Sequence, residues 1–203
     1  MHKDKIIKII VELCGLLLGV TFIFSGFVKA VDPVGFSIKI GDYLSAFGLD
    51  FLRWLDLFFS FCVISIEFAL GVSVLLGVYR KLVSIGLLLF MCVMTPLTLY
   101  LAIFNPVADC GCFGDALVIS NWETFFKNVV LLTAAIIVFK FHKRLTPVYT
   151  YKAYWFVALF SFFFCIGFCY YNYNHLPIID FRPYKIGENI PKLMEIPEDA
   201  PHD

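Results

Sequence analysis

The chain has 203 residues, 61% of them hydrophobic and 16% charged, with 24 Phe and a mean hydropathy of +0.86. Soluble domains are about half apolar and about a quarter charged, so a water-facing shell cannot be built from this composition. The 16 basic and 16 acidic residues cancel to a formal net charge of +0, which offers no field to a polyanion. A soluble enzyme, a disordered chain and a nucleic-acid binder are thereby excluded, and an integral membrane protein remains.

Crossing ~30 Å of hydrocarbon takes about 20 apolar residues in a helix. Five stretches meet that length. The first is 9–28, with Glu12 as its one charge. It is longer than the ~7–15 apolar residues of a signal core, so it reads as an uncleaved span although Val28-Lys29-Ala30 resembles a cleavage site. Residues 32–50 follow, interrupted by Gly35, Gly41 and Gly48, and are predicted to form an interfacial or re-entrant helix over the outer mouth. The second span is 54–78, with Asp56 at its edge and Glu67 inside. The third, 82–104, is charge-free and holds Pro96, which removes a backbone donor and is predicted to kink the helix. The fourth, 120–139, opens on Ser120-Asn121-Trp122-Glu123, the pattern of a capping box. The fifth, 153–173, is charge-free and aromatic-rich. All five must be helices, because a strand edge in lipid leaves backbone groups unpaired. Trp54, Trp122, Trp155 and the Tyr170, Tyr171, Tyr173 group fall at span ends, as interfacial aromatics do. The tail 174–203, with Pro177, Pro183, Pro191, Pro197 and Pro201, reads as an extended strap.

Lys and Arg set the expected orientation. With the N-terminus inside, the inner segments carry Lys3, Lys5, Lys8, Arg80, Lys81, Lys140, Lys143, Arg144 and Lys152. The outer segments carry Lys29, Lys39, Arg53, Arg182, Lys185 and Lys192, and Lys127 stays within the fourth span. This predicts a cytoplasmic N-terminus in a bacterial inner membrane, with loop 105–121 and the tail outside.

The outer loop holds Asp109-Cys110-Gly111-Cys112-Phe113-Gly114-Asp115. Two thiols one residue apart, on a side where glutathione does not keep them reduced, are candidate catalytic residues for thiol–disulfide exchange. Gly111 lets the chain fold back far enough for the sulfurs to meet. So small a ring is strained, and strained, exposed disulfides exchange readily. It closes almost no loop and adds little stability. Repulsion from Asp109 and Asp115 opposes thiolate formation at either sulfur. A structural role for the pair stays open, as does a Cu(I) or Zn(II) site, although two thiolates are half a tetrahedral shell and no nearby His completes it.

Cys14, Cys62 and Cys92 read as apolar packing residues. Cys165 and Cys169, spaced i, i+4 on the fifth span, are candidates for a second dithiol that exchanges with the loop pair, or else buried core residues. Glu67 lies mid-span, where an ionised carboxylate facing lipid costs several kcal/mol, so it must face the bundle interior or be protonated. Ser60, Glu67, Gly71 and Val74 share one helix face, and Thr21, Ser25, Thr95, Thr98, Lys127 and Asn128 are candidate partners. Glu67 and Lys127 are candidates for a proton acceptor or for a polar anchor of a quinone head group; the alternative is a structural interhelical hydrogen bond. His2, His142, His175 and His202 sit in flanks with no matching nucleophile.

Three strings together resemble the DoxX/MauE family: Ser25-Gly26-Phe27-Val28-Lys29-Ala30-Val31-Asp32-Pro33, Glu67-Phe68-Ala69-Leu70-Gly71, and Leu76-Gly77-Val78-Tyr79-Arg80. Cys110-Gly111-Cys112-Phe113-Gly114 is similar to the MauE-like branch. The resemblance covers roughly residues 9–139. It implies a four-helix membrane domain over 1–140, to which 141–173 adds a cytoplasmic loop and a fifth transmembrane helix, and 174–203 an outer tail. It marks Ser25, Gly26, Lys29, Asp32 and Pro33 as signature residues. MauE proteins are associated with maturation of a disulfide-rich periplasmic dehydrogenase subunit, and DoxX relatives include a quinone-linked thiosulfate oxidoreductase subunit. The resemblance therefore implies a membrane thiol–disulfide component, with a periplasmic thioredoxin-like protein or a disulfide-containing client as partner and a quinone as possible acceptor. The competing reading is a non-catalytic assembly or chaperone subunit. A small-solute permease is weakest, because the spans hold one intramembrane acid and no evident inverted repeat.

Overall fold

The computed structural model describes residues 2–105, 111–117, 119–179 and 181. Six helices account for most of them: α1 His2–Val31, α2 Pro33–Ala46, α3 Asp56–Leu75, α4 Arg80–Phe104, α5 Asn121–Lys140 and α6 Tyr154–Asn174. All but α2 are long and apolar enough to cross a membrane, and no strand occurs among the described residues. The chain is an all-α integral membrane protein, a four-helix bundle of α1, α3, α4 and α5 with α6 as a fifth transmembrane helix packed on α3 and α1.

Local chemistry sets the helix ends. Asp32 leaves the helical region at φ −129° because Pro33 follows it, and its Oδ1 accepts the Gly35 N–H at 2.9 Å, which ends α1 and starts α2. The segment expected over the outer mouth is thus a 14-residue helix that packs on α3, where Ser60 Oγ donates to the Pro33 carbonyl at 2.8 Å and Phe36 joins the cluster around Ile64. Gly77, at φ +66°, turns the chain from α3 into α4; a side chain there would meet the Thr146 carbonyl at 2.7 Å. The capping box at the start of α5 is complete: Glu123 N–H donates to Ser120 Oγ, and Ser120 N–H donates to Glu123 Oε2 at 2.9 Å. Helix α4 is continuous through Pro96.

Helix α1 is the centre of the bundle, touching α3, α5, α6 and α2. Glycines let α1 and α3 approach at backbone distance. A Cβ at Gly71 would lie 2.7 Å from the Ile23 nitrogen, and one at Gly26 would lie 3.0 Å from the Phe68 nitrogen. In lipid, where burial gives no driving force between apolar helices, such close packing is what holds them together. Two apolar clusters result. Leu18, Phe22, Leu87, Met91, Leu131 and Val138 join α1 to α4 and α5, while Ala30, Phe36, Ile64, Cys165 and Cys169 join α1, α2, α3 and α6.

The linker between α5 and α6 is laced to the same end of the bundle. Arg144 Nη2 pairs with Asp4 Oδ1 at 2.8 Å, Thr146 Oγ1 donates to Glu12, Val148 N–H donates to the Leu76 carbonyl at 3.1 Å, and Leu145 is buried beside Gly15.

Candidate functional site

Two signature positions of the first string, Ser25 and Lys29, converge on one cleft. Moving along α1, Thr21, Ser25 and Lys29 recur at the i, i+4 spacing that keeps residues on one face, and all three line it. From α3 comes Glu67, from α4 Phe90, Met91 and Met94, from α5 Lys127 and Asn128, and from the loop between α4 and α5 Cys112 and Phe113.

At its floor, Lys29 Nζ lies 2.7 Å from Glu67 Oε2, with the side chains 4% and 6% exposed. The carboxylate does face the bundle interior. Lys29 also lies over the Phe36 ring, 4.9 Å from its centroid. Lys29, counted from sequence among the outer-segment charges, lies in the last turn of α1 and is buried against an acid 38 residues away rather than exposed in a loop. Several other candidate partners of Glu67 are engaged elsewhere, while the buried Thr95 hydroxyl has no hydrogen-bond partner among the described residues. Asn128 Nδ2 donates to Thr98 Oγ1 at 3.1 Å, and Ser25 Oγ donates to the Cys112 carbonyl at 2.6 Å.

That Ser25 bond ties the thiol loop to α1. The loop's shape follows from its glycines: Gly111 at φ +64° and Gly114 at φ +52° take left-handed conformations, and the Gly114 N–H returns to the Gly111 carbonyl at 3.1 Å. Between them Phe113 is buried, 5.5 Å from the Phe24 ring, and Lys127 Nζ sits 4.0 Å above its face. Gly111 packs against the Lys39 side chain of α2, which puts α2 and the thiol loop at the same end of the bundle.

Cys112, Glu67, Lys127, Ser25 and Lys29 are therefore brought together. Cys110, Asp109 and the Asp115 side chain lie outside the described residues, as does the tail beyond residue 181. Cys165 and Cys169, 2% and 0% exposed, sit in the cluster between α6, α3 and α1 and do not line the cleft. Asp32 and Pro33 form the α1–α2 corner, and Gly26 sits at the α1–α3 contact.

The cleft encloses about 30 Å³. That is room for about one water, whereas an aromatic ring takes a cavity of about 150 Å³. Phe68, the next residue, instead lines a separate apolar cavity of about 450 Å³ between α3 and α6.

Sequence reasoning missed the partner of Glu67. A lone lysine at the end of an apolar run ordinarily snorkels to water. The available signal was that Lys29 continues the polar face of Thr21 and Ser25, and that its single-charge counterpart is Glu67.

The family model for Methylamine utilisation protein MauE matches residues 7–141. Protein TlpB of Flavobacterium psychrophilum is 25% identical over 127 residues, which are 61% of this chain and 35% of TlpB. The chain thus spans about a third of the length of that curated relative. No solved structure matches the chain. The family match runs from the first turns of α1 to the end of α5 and so takes in every residue of the cleft, and the chain belongs to the MauE family.

Proposed function

We propose that this chain is a membrane-embedded thiol–disulfide redox component that supports disulfide formation in extracytoplasmic proteins, with Cys110 and Cys112 as its exchanging pair. The observation that carries this reading is that Cys112 lines the same small cleft as the buried Lys29–Glu67 pair and Lys127. Lys29 and Lys127 bring two ammonium groups to that cleft against the one carboxylate of Glu67, an excess that favours the attacking form of sulfur and counters the repulsion expected from Asp109 and Asp115. The cleft has room for one water between that sulfur and the acid–base pair beneath it, a path for a proton.

A client thiolate attacks one sulfur of the Cys110–Cys112 disulfide. The S–S bond breaks, a mixed disulfide forms, and the released thiolate takes a proton by way of the cleft water. The client's second thiolate then attacks the client sulfur of the mixed disulfide. This closes the client disulfide and leaves Cys110 and Cys112 as a dithiol holding two electrons and two protons. Exchange with the disulfide form of an extracytoplasmic thioredoxin-like protein restores the pair and reduces that protein. The site is at the outer face of a bacterial inner membrane and the N-terminus is cytoplasmic. Removing buried Lys29 from the outer charges sharpens the Lys and Arg asymmetry that supports this orientation.

The test is mass-tag alkylation of the purified protein before and after graded reduction, together with single-serine variants in cells. Cys110 and Cys112 shift together near the potential of periplasmic oxidants, and either Cys110→Ser or Cys112→Ser accumulates a mixed disulfide with a partner. A Cys110→Ser/Cys112→Ser variant with full activity would establish the non-catalytic assembly role instead.

A further inference from the structure

At the end of the bundle opposite the thiol loop, a cavity of about 630 Å³ opens between the first turn of α4, the turn after α5 and the start of α6. Arg80, Lys81, Lys143 and His142 line it, and no Asp or Glu does. The Arg80 guanidinium is fixed in place, because its Nη1 donates to the Leu145 carbonyl at 2.8 Å and the Lys143 carbonyl at 3.2 Å. Its Nη2 and Nε make no hydrogen bond among the described residues and remain available to an anion. Lys81 and Lys143 are exposed, and among the described residues no carboxylate lies within ion-pair distance of them.

Three tyrosines form the wall. Tyr79, Tyr151 and Tyr154 pack edge to face with ring centroids 5.3–6.3 Å apart, so the wall is built before any ligand arrives. Tyrosines at this level of a spanning helix stand at the headgroup layer. Below the cations, Leu82 and Ile85 line the same cavity. The apolar stripe continues down the outer face of α4 through Leu89 and Val93, 62% and 65% exposed. A soluble phosphate has no use for such a stripe, but a diacyl chain does.

We infer that this cavity binds the headgroup of an anionic phospholipid, with the phosphate among Arg80, Lys81 and Lys143 and an acyl chain along Leu82, Leu89 and Val93. Basic pockets between transmembrane helices at a membrane surface hold acidic headgroups in this way. The inference is independent of the redox reading.

The experiment is native mass spectrometry of the full chain in uncharged detergent, titrated with phosphatidylglycerol or with phosphatidylcholine of the same acyl chains. One phosphatidylglycerol per chain is retained in preference to phosphatidylcholine. Lys81→Gln/Lys143→Gln, which leaves Arg80 and its carbonyl bonds intact, weakens that retention about tenfold or more. The unliganded melting midpoint of this variant checks that it folds, and Lys81→Gln alone serves if it does not. Cys110→Ser/Cys112→Ser binds the lipid as the parent does. Equal retention of phosphatidylcholine, unchanged phosphatidylglycerol binding by the lysine variants, or displacement by glycerol phosphate as effective as by the lipid overturns the inference, the last by making this a site for soluble phosphate.

Discussion

Lys29 Nζ and Glu67 Oε2 meet at 2.7 Å inside a bundle that crosses a membrane, and neither side chain reaches solvent. Each charge is tolerable there only because the other is present, since desolvating an unpaired ion costs several kcal/mol. The Lys29→Met variant therefore loses about 3–5 kcal/mol of stability. Lys29→Met/Glu67→Leu recovers most of it, because an apolar pair of similar volume replaces the ions. Thermal unfolding in detergent measures both. Disulfide exchange stays impaired in the double variant if the pair handles protons, which separates that role from packing.

The thiol loop hangs on the hydrogen bond from Ser25 Oγ to the Cys112 carbonyl. Ser25→Ala costs about 1 kcal/mol locally and frees the loop, so Cys112 is alkylated several-fold faster. Ser25→Thr keeps the hydroxyl and the slow rate. Alkylation kinetics followed by mass spectrometry give the comparison, and equal rates in parent and alanine variant would remove Ser25 as an anchor.

Two glycines in helices give opposite signs. Gly71→Ala forces a methyl to within 2.7 Å of the Ile23 nitrogen and destabilises by about 1–3 kcal/mol. Gly167 faces open space, with nothing within 4 Å of an added Cβ, so Gly167→Ala stabilises α6 by about 0.5–1 kcal/mol. Melting midpoints of the two variants move apart.

Burial separates the cysteines. After mild reduction, a membrane-impermeant maleimide applied to intact spheroplasts labels Cys112 and leaves Cys165 and Cys169 unmodified, because the latter pair is 2% and 0% exposed among Ala30, Phe36 and Ile64. Exchange activity that survives Cys165→Ala/Cys169→Ala assigns these two to packing; loss of activity with unchanged melting assigns them to a relay.

The spans, the α5 capping box and the inward Glu67 were legible because each rests on local pattern: apolar length, a four-residue hydrogen-bond motif, a helical face. Helix α1 begins well before the apolar stretch at residue 9, since the lysine-rich turns outside the hydrocarbon still prefer helix. The ion pair was not legible. Its members are 38 residues apart on different helices, and no periodicity links them. Nor was the role of Ser25, whose acceptor is a backbone carbonyl 87 residues on and carries no side-chain signature. The strings that resembled a family did hold the answer in another form: Gly26 and Gly71 close the α1–α3 seam, and Lys29 and Glu67 lie across it.

The lacing between the α5–α6 linker and α1 has a consequence for biosynthesis. The partners of Asp4 and Glu12 are Arg144 and Thr146, and Leu145 fills the space beside Gly15. During translation the first helix must wait for more than half the polypeptide before its N-terminal end gains these partners. Those late residues lie just past the stretch shared with the family, so the linker that leads to the fifth spanning helix also fastens one end of the first.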